Sequence, residues 1–137
     1  ADIFISVAAI SDWRAKKIYR QKIKKNTNIF DSLKFVKNVD VLKEVSESNH
    51  RPKLVIGFAA ETDNVIGNAR DKLTHKNLDM IIANKVGDTT VGFNSDNNRT
   101  TVLWKDDQQE LPIMSKAAVS SKIIALIAEA ILKDKDG

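Results

Sequence analysis

Two short apolar runs, Lys53-Leu-Val-Ile-Gly-Phe58 and Asp79-Met-Ile-Ile-Ala83, bracket a stretch whose apolar residues recur at helical spacing. Within that stretch, Asn64 to Lys76, the residues Val65, Ile66, Ala69 and Leu73 share one face, with Asp63 or Asn64 as the cap. Continuous apolar runs this short read as strands buried on both faces. Two such strands joined by a helix run parallel, the crossover is right-handed, and ligands collect at the strands' carboxyl ends.

The rest of the chain extends the pattern. Ile3 to Ala8 reads as a further buried strand, and Ser32 to Lys37 alternates apolar with polar, as a strand with one wet face does. Val41, Leu42 and Val45 share a stripe on a helix within 39–48, capped by Asn38 or Asp40. Gly87 to Asn98 is rich in Gly, Asn, Asp, Ser and Thr and reads as a loop. Thr100 to Trp104 and Leu111 to Met114 flank 105–109 as the arms of a hairpin. Ser115 then caps a final helix, 116–132, with Val119, Ile123, Ile127 and Ile131 inward. The expected fold is α/β: a Rossmann-like three-layer domain with a mainly parallel sheet, plus a C-terminal β-hairpin and helix. The 137 residues are read as a single domain.

Composition removes several chemistries. There is no cysteine, which excludes disulfides, zinc–thiolate sites, iron–sulfur clusters and thiol nucleophiles, and fits a reducing, cytoplasmic setting. Only His50 and His75 are present, too few for a multi-histidine metal site. No apolar run approaches the roughly 20 residues a membrane span needs. Neither G-x-G-x-x-G nor G-x-x-x-x-G-K-[ST] occurs, which argues against dinucleotide oxidoreductases and P-loop kinases.

Charge is a positive clue. Lysine and arginine total 22 against 18 acidic residues, a formal +4. The excess is concentrated in residues 14–25, RAKKIYRQKIKK, which hold Arg14, Lys16, Lys17, Arg20, Lys22, Lys24 and Lys25 and no acid. Such a run attracts phosphate on a nucleic acid, a nucleotide or a metabolite; equally, it is a solvated loop.

The strand ends carry the other candidates. After the first strand, Ala8 and Ala9 let a ligand approach the backbone, and the Asp12 carboxylate suits a metal ion bound to phosphate. The alternative is two alanines packed under a helix and an Asp that caps a turn. Phe58, read as a strand tip, offers a surface on which a base could stack, although most such residues are core. Glu61 reads as a brace for the following helix. Lys72 and Lys76, four apart on one helical face with no interleaved acid, read as a phosphate clamp or as a solvated pair. Asn84 closes its strand, and the Asn and Asp cluster at 94–98 reads as a rigid turn.

Seven motifs stand in order: Ala8-Ala-Ile-Ser-Asp12-Trp-Arg14, Lys22-Ile-Lys-Lys25, Lys37-Asn38-Val39-Asp40, Gly57-Phe-Ala-Ala-Glu-Thr62, Lys72-x-x-x-Lys76-Asn77, Ala83-Asn84 and Gly92-Phe-Asn-Ser-Asp-Asn-Asn98. Together they resemble the phosphopantothenate–cysteine ligase (phosphopantothenoylcysteine synthetase) domain of bacterial bifunctional coenzyme A biosynthesis proteins, where it is fused behind a flavin-dependent decarboxylase. The resemblance spans nearly the whole chain. It implies that CTP, with Mg2+, activates the carboxylate of 4′-phosphopantothenate as an acyl cytidylate, which the amine of L-cysteine then attacks.

By that resemblance Ala8, Asp12, Lys22, Lys37, Asn38, Val39, Asp40, Phe58, Lys72 and Lys76 hold the nucleotide. Lys22 also assists the cysteine step from a flap over 14–28, and Asp12 helps to hold the metal through the triphosphate. Ala8, Ala9, Asp12 and Asn84 lie near phosphopantothenate in a site shared between the subunits of a homodimer. No flavin is implied in this segment, and neither a membrane nor a nucleic acid is implied as partner. The family's turn usually has Pro where this chain has Val39, so the backbone there is less fixed in the unfolded state. The chain opens ADIFISVAA, without Met and inside an apolar run. The family's amino-terminal part, with a Gly- and Ser-rich phosphate loop and a further catalytic Asn, is therefore expected to lie before residue 1. Two other readings compete: a nucleic-acid-binding module that tracks phosphate with 14–25, and a dimerisation fragment without chemistry that pairs through the 99–114 hairpin.

Overall fold

A computed structural model describes residues 1–8, 10–22, 33–87 and 97–133. Among these, five strands form one sheet in the order β1 (Ile3–Ser6), β4 (Leu54–Glu61), β5 (Met80–Lys85), β7 (Thr100–Trp104) and β8 (Gln108–Glu110). β1, β4 and β5 are mutually parallel, with Ser6 opposite Gly57 and Glu61 opposite Lys85. The crossover between β4 and β5 is α2 (Val65–His75), and the parallel direction follows from it. β7 and β8 join antiparallel through a short turn, too short to allow anything else.

The sheet is covered on both faces. On one, Val55 and Ala59 of β4 and Ile81 and Ala83 of β5 pack with Ala69 and Leu73 of α2 and Leu42 of α1 (Val41–Ser46). On the other, Ile56, Met80, Ile82 and Val102 pack against Val119, Ile123 and Ile127 of α3 (Lys116–Lys133). Burying each such aliphatic side chain stabilises the fold by about 1.5–3 kcal/mol, so the two apolar layers hold the strand ends in register. A Cβ at Gly57 would lie 2.9 Å from Leu78 Cδ1 and 3.0 Å from Leu42 Cδ2. Only glycine lets α1 and the loop after α2 press this closely on β4. Among the described residues no helix is long and apolar enough to cross a membrane.

Several expectations are corrected. β1 ends at Ser6 rather than Ala8, and it is a half-exposed edge strand, not a buried one, because only β4 flanks it. Residues 14–25 are not wholly loop: β2 (Trp13–Ala15) pairs antiparallel with β3 (Phe35–Lys37) in a separate ribbon. The strand expected over 32–37 is thus shorter and does not join the main sheet. β4 runs past Phe58 to Glu61, and β5 runs past Asn84 to Lys85, since the two strands pair with each other that far and β7 also flanks β5 up to Asn84.

Asn64 occupies the cap position of α2 with φ of 43° but makes no side-chain capping bond. Its side chain lies against Gly67 instead. The return arm of the hairpin is Gln108–Glu110, not 111–114, since the turn closes through the Trp104 amide, which donates to the Asp107 carbonyl at 2.9 Å. Met114–Ser115 forms β9, which pairs with β6 (Asn97–Asn98), so the end of the Gly87–Asn98 segment is strand. The remainder of that segment, 88–96, and the end of the basic run, 23–25, lie outside the described residues. The Asp40 and Ser115 caps form as expected: Lys43 N donates to Asp40 Oδ1 at 3.2 Å, and Ala118 N donates to Ser115 Oγ at 3.3 Å.

Candidate functional site

β1 stops at Ser6 while β4 continues to Glu61, so the outer edge of β4 is left without a strand neighbour beyond Gly57. A cleft of about 180 Å³ occupies that corner. Its walls come from four separate stretches of chain: Ala8 and Asp12 after β1, Val39 and Asp40 before α1, Phe58 in β4, and Lys76 after α2. These six, among eleven lining residues, are candidates singled out in the sequence.

Asn38 shapes this cleft without lining it. Its amide N donates to the Asp12 carbonyl at 2.8 Å and its Nδ2 to the Ser11 carbonyl at 2.6 Å, which ties the loop after β1 to the end of β3. Phe58 is not a strand tip. It stands inside β4 opposite Ile82, half-buried, packed against the layer under α3 while it also reaches the cleft. Lys37 is exposed opposite Trp13 on the ribbon, and Lys22 is exposed; neither lines the cleft. Ala9 lies outside the described residues. Asn84 is half-buried beyond the cleft, on β5, and its Oδ1 accepts from Thr100 Oγ1 at 2.7 Å. Among the described residues its Nδ2 donors have no partner.

The two lysines do not stand on an acid-free face. Lys76 Nζ lies 2.8 Å from Asp40 Oδ2, and Lys72 Nζ lies 2.5 Å from Glu61 Oε1. The acids come from other elements, the turn before α1 and the end of β4, and spacing along one helix could not reveal them. They also solve the repulsion between like charges one turn apart. Each lysine is drawn to a different carboxylate.

Burial raises the Asp40 carboxyl. The hydrogen bonds from Lys76 and the Lys43 amide, with the charges of both lysines, outweigh it and hold the pKa below its ordinary value. Glu61 behaves alike: burial raises it, but hydrogen bonds from Lys72 and Asn68 and the Lys72 charge bring it lower. Both carboxylates are therefore anions at neutral pH.

A doubly covered sheet with a cleft at the carboxyl ends of parallel strands is the Rossmann-like α/β class. The chain belongs to the DNA/pantothenate metabolism flavoprotein C-terminal domain family, whose model matches residues 1–131. It is 44% identical over 128 residues to the coenzyme A biosynthesis bifunctional protein CoaBC of Vibrio cholerae, covering 93% of this chain and 32% of that protein. The CoaBC of Escherichia coli K12 is 44% identical over 126 residues (90% and 31%), and that of Bacillus subtilis 42% over 129 (93% and 31%). The chain thus spans about a third of the length of these relatives. The crystal structure of the C-terminal domain of a CoaBC protein superposes with a TM-score of 0.71 at 34% identity, covering 97% of this chain and 56% of that one. A DNA/pantothenate metabolism flavoprotein from Streptococcus pneumoniae shares the fold, with a TM-score of 0.65 at 22% identity over 93% and 60%.

Proposed function

We propose that this chain carries nucleotide-site residues of a CTP-dependent ligase that joins L-cysteine to 4′-phosphopantothenate in coenzyme A biosynthesis. The observation that carries the reading is the cleft itself, which gathers Ala8, Asp12, Val39, Asp40, Phe58 and Lys76 from four stretches at one sheet edge. The CoaBC relatives support the pathway.

In the first step a phosphopantothenate carboxylate oxygen attacks the α-phosphorus of CTP, and pyrophosphate leaves. In the second the cysteine amine attacks the acyl carbon, and CMP leaves with the bonding electron pair. In this reading Lys76, with Lys72 and Lys22, offsets the charge of the triphosphate, and Phe58 offers an apolar wall to the base. Lys37 to Asp40 forms the turn that borders the nucleotide. Ala8, Asp12 and Asn84 would face phosphopantothenate.

The donor set suits Mg2+ only as a guest of the nucleotide. Among the described residues no group of three or more acidic or histidine side chains could hold a metal alone. Asp12 at the cleft offers one hard carboxylate, and triphosphate oxygens would complete the shell. The chemistry such an ion would supply there is neutralisation of charge on the leaving pyrophosphate.

A thermal-shift panel with Mg2+ tests the reading. CTP should raise the midpoint saturably and in preference to ATP, GTP and UTP, equivalent to about 2.7 kcal/mol at a hundredfold excess over Kd. Equal, strongly salt-sensitive responses to all polyanions, DNA included, would favour the nucleic-acid reading instead.

Assembly is the second expectation. The β8 edge is an exposed polar row, Gln108 to Glu110, and makes a poor dimer seam. Trp13 and Phe35 on the β2–β3 ribbon are 55% and 60% exposed. We assign a second copy of this chain to that face. Light scattering should show a dimer that Trp13→Lys with Phe35→Lys converts to monomer. A monomer at every concentration would refute the assignment. The flavin-dependent decarboxylase would be a further partner, fused or separate.

A further inference from the structure

We infer that Glu61 is a positioning residue: it holds the Lys72 ammonium at a fixed station so that two of its N–H donors face a bound phosphate chain. The inference rests on the reading of this sheet edge as a nucleotide site, and it concerns a residue outside the cleft.

Glu61 is the last residue of β4, and its backbone is fixed on the sheet. It stands opposite Lys85, and its carbonyl accepts from Val86 N at 2.9 Å. The side chain is only 12% exposed, against 46% for Lys72. Both carboxylate oxygens are used, by residues one turn apart on α2. Oε1 takes Lys72 Nζ at 2.5 Å, and Oε2 takes Asn68 Nδ2 at 3.0 Å. Asn68 Nδ2 also donates to the Asp63 carbonyl at 3.1 Å, so the amide that steers Glu61 is itself anchored. The chain of contacts runs from backbone to Asn68 to Glu61 to Lys72, and only its last member is a flexible stem.

An ordinary surface ion pair constrains little, because both partners move. Here one partner is rooted in the sheet and mostly buried, so the mobile lysine inherits the position of the fixed acid. An ammonium has three donors, and Glu61 takes one. Among the described residues Lys72 has no other hydrogen-bond partner, which leaves two donors for phosphate oxygens. Lys76 is placed in the same manner by Asp40, whose Oδ1 is fixed by the Lys43 amide. Each cation is thereby held by its own carboxylate, Lys76 at the cleft and Lys72 outside its lining. A lysine already in place loses less rotamer freedom on binding than a free one.

Calorimetry on this chain with CTP–Mg2+ and, separately, with inorganic tripolyphosphate tests the inference through Glu61→Gln, Lys72→Gln and the double variant. Gln keeps the shape and the Asn68 contact but loses the ionic anchor. Glu61→Gln should weaken both ligands about five- to tenfold, and the double variant should be no weaker than Lys72→Gln alone, since the two residues act as one unit. Unchanged or tighter binding in Glu61→Gln would overturn it, because Glu61 would then be a mere tether or a competitor of phosphate. A lower melting midpoint with unchanged affinity would do the same.

Lysine Nζ NMR adds a readout that needs no ligand. Lys72 should give a slowly exchanging ammonium signal in the parent chain that Glu61→Gln abolishes. A freely exchanging Lys72 in the parent overturns the inference. An anchored Lys72 with tripolyphosphate bound and no preference for CTP supports it while removing the nucleotide reading.

Discussion

Lys76→Ala is expected to weaken CTP binding by about 1–3 kcal/mol, the range for losing a charge-assisted contact to phosphate. Lys76 lines the cleft, whereas Lys72 does not, so its loss should be the more direct of the two. The same change strips Asp40 of its closest cation, 2.8 Å away. Calorimetry with CTP–Mg2+ checks the first effect, and unchanged affinity in a Lys72→Ala, Lys76→Ala double variant would dismiss the clamp.

A pH series checks the second effect of Lys76→Ala. The Asp40 carboxyl is lower in the fold than when unfolded, so its contribution to stability is fully present above the unfolded value. It is lost as pH falls through the folded value. Lys76→Ala removes much of that lowering. The variant should therefore be less stable than its parent near neutrality, and the gap should close as pH drops below about 4. Asp40 is half open to solvent, so screening keeps this term small beside the effect on binding.

The parallel core of the fold was legible because burial on two faces leaves an unbroken apolar run that few other arrangements produce. Val55 to Phe58 and Met80 to Ala83 announce themselves in this way, and α2 between them forces the direction. The ends were misplaced for a related reason. Ala59, Ala60, Glu61, Asn84 and Lys85 are weak strand formers by composition, yet they sit in strands because neighbours pair with them. The β2–β3 ribbon was hidden because its cross-strand pairs, Trp13 with Lys37 and Ala15 with Phe35, join segments about twenty residues apart through a polar, cationic stretch. No local period marks such a pairing.

The candidate site divides along the same line. Residues at strand ends and turns were visible singly, and Ala8, Asp12, Val39, Asp40, Phe58 and Lys76 do meet at one cleft. The partners of the lysines were not visible, because Asp40 and Glu61 reach Lys76 and Lys72 across the fold from 36 and 11 residues away. The brace expected of Glu61 is what the structure shows, through Asn68 and Lys72. What composition could not show is that the brace ends on a cation. Asn38 reads in the sequence as part of a turn, and its contribution, two hydrogen bonds to the loop after β1, depends on contacts 26 and 27 residues distant. Local patterning reads which residues are unusual; only the packed sheet decides which of them touch.

Lys22→Gln separates binding from chemistry and carries the largest effect expected on rate. Lys22 lies in a run of cations, is exposed, and is not part of the cleft wall. In a ligase-competent protein that carries this chain, the first half-reaction should survive in part, since Lys72, Lys76 and Asp12 still meet the triphosphate. The attack of cysteine should slow about 10²–10³-fold, the scale for one electrostatic group that acts mainly on a transition state. The reason lies in how charge moves. As the amine adds to the acyl carbon and CMP departs, negative charge grows on the bridging phosphate oxygen, and a flexible ammonium can follow it where a fixed one cannot. Gln retains hydrogen-bonding capacity but no charge, so the deficit should fall on this step rather than on affinity. Acyl cytidylate should then accumulate, visible by mass spectrometry after rapid quench. Full activity, or equal slowing of both halves with no intermediate, would return Lys22 to the solvated lysines around it.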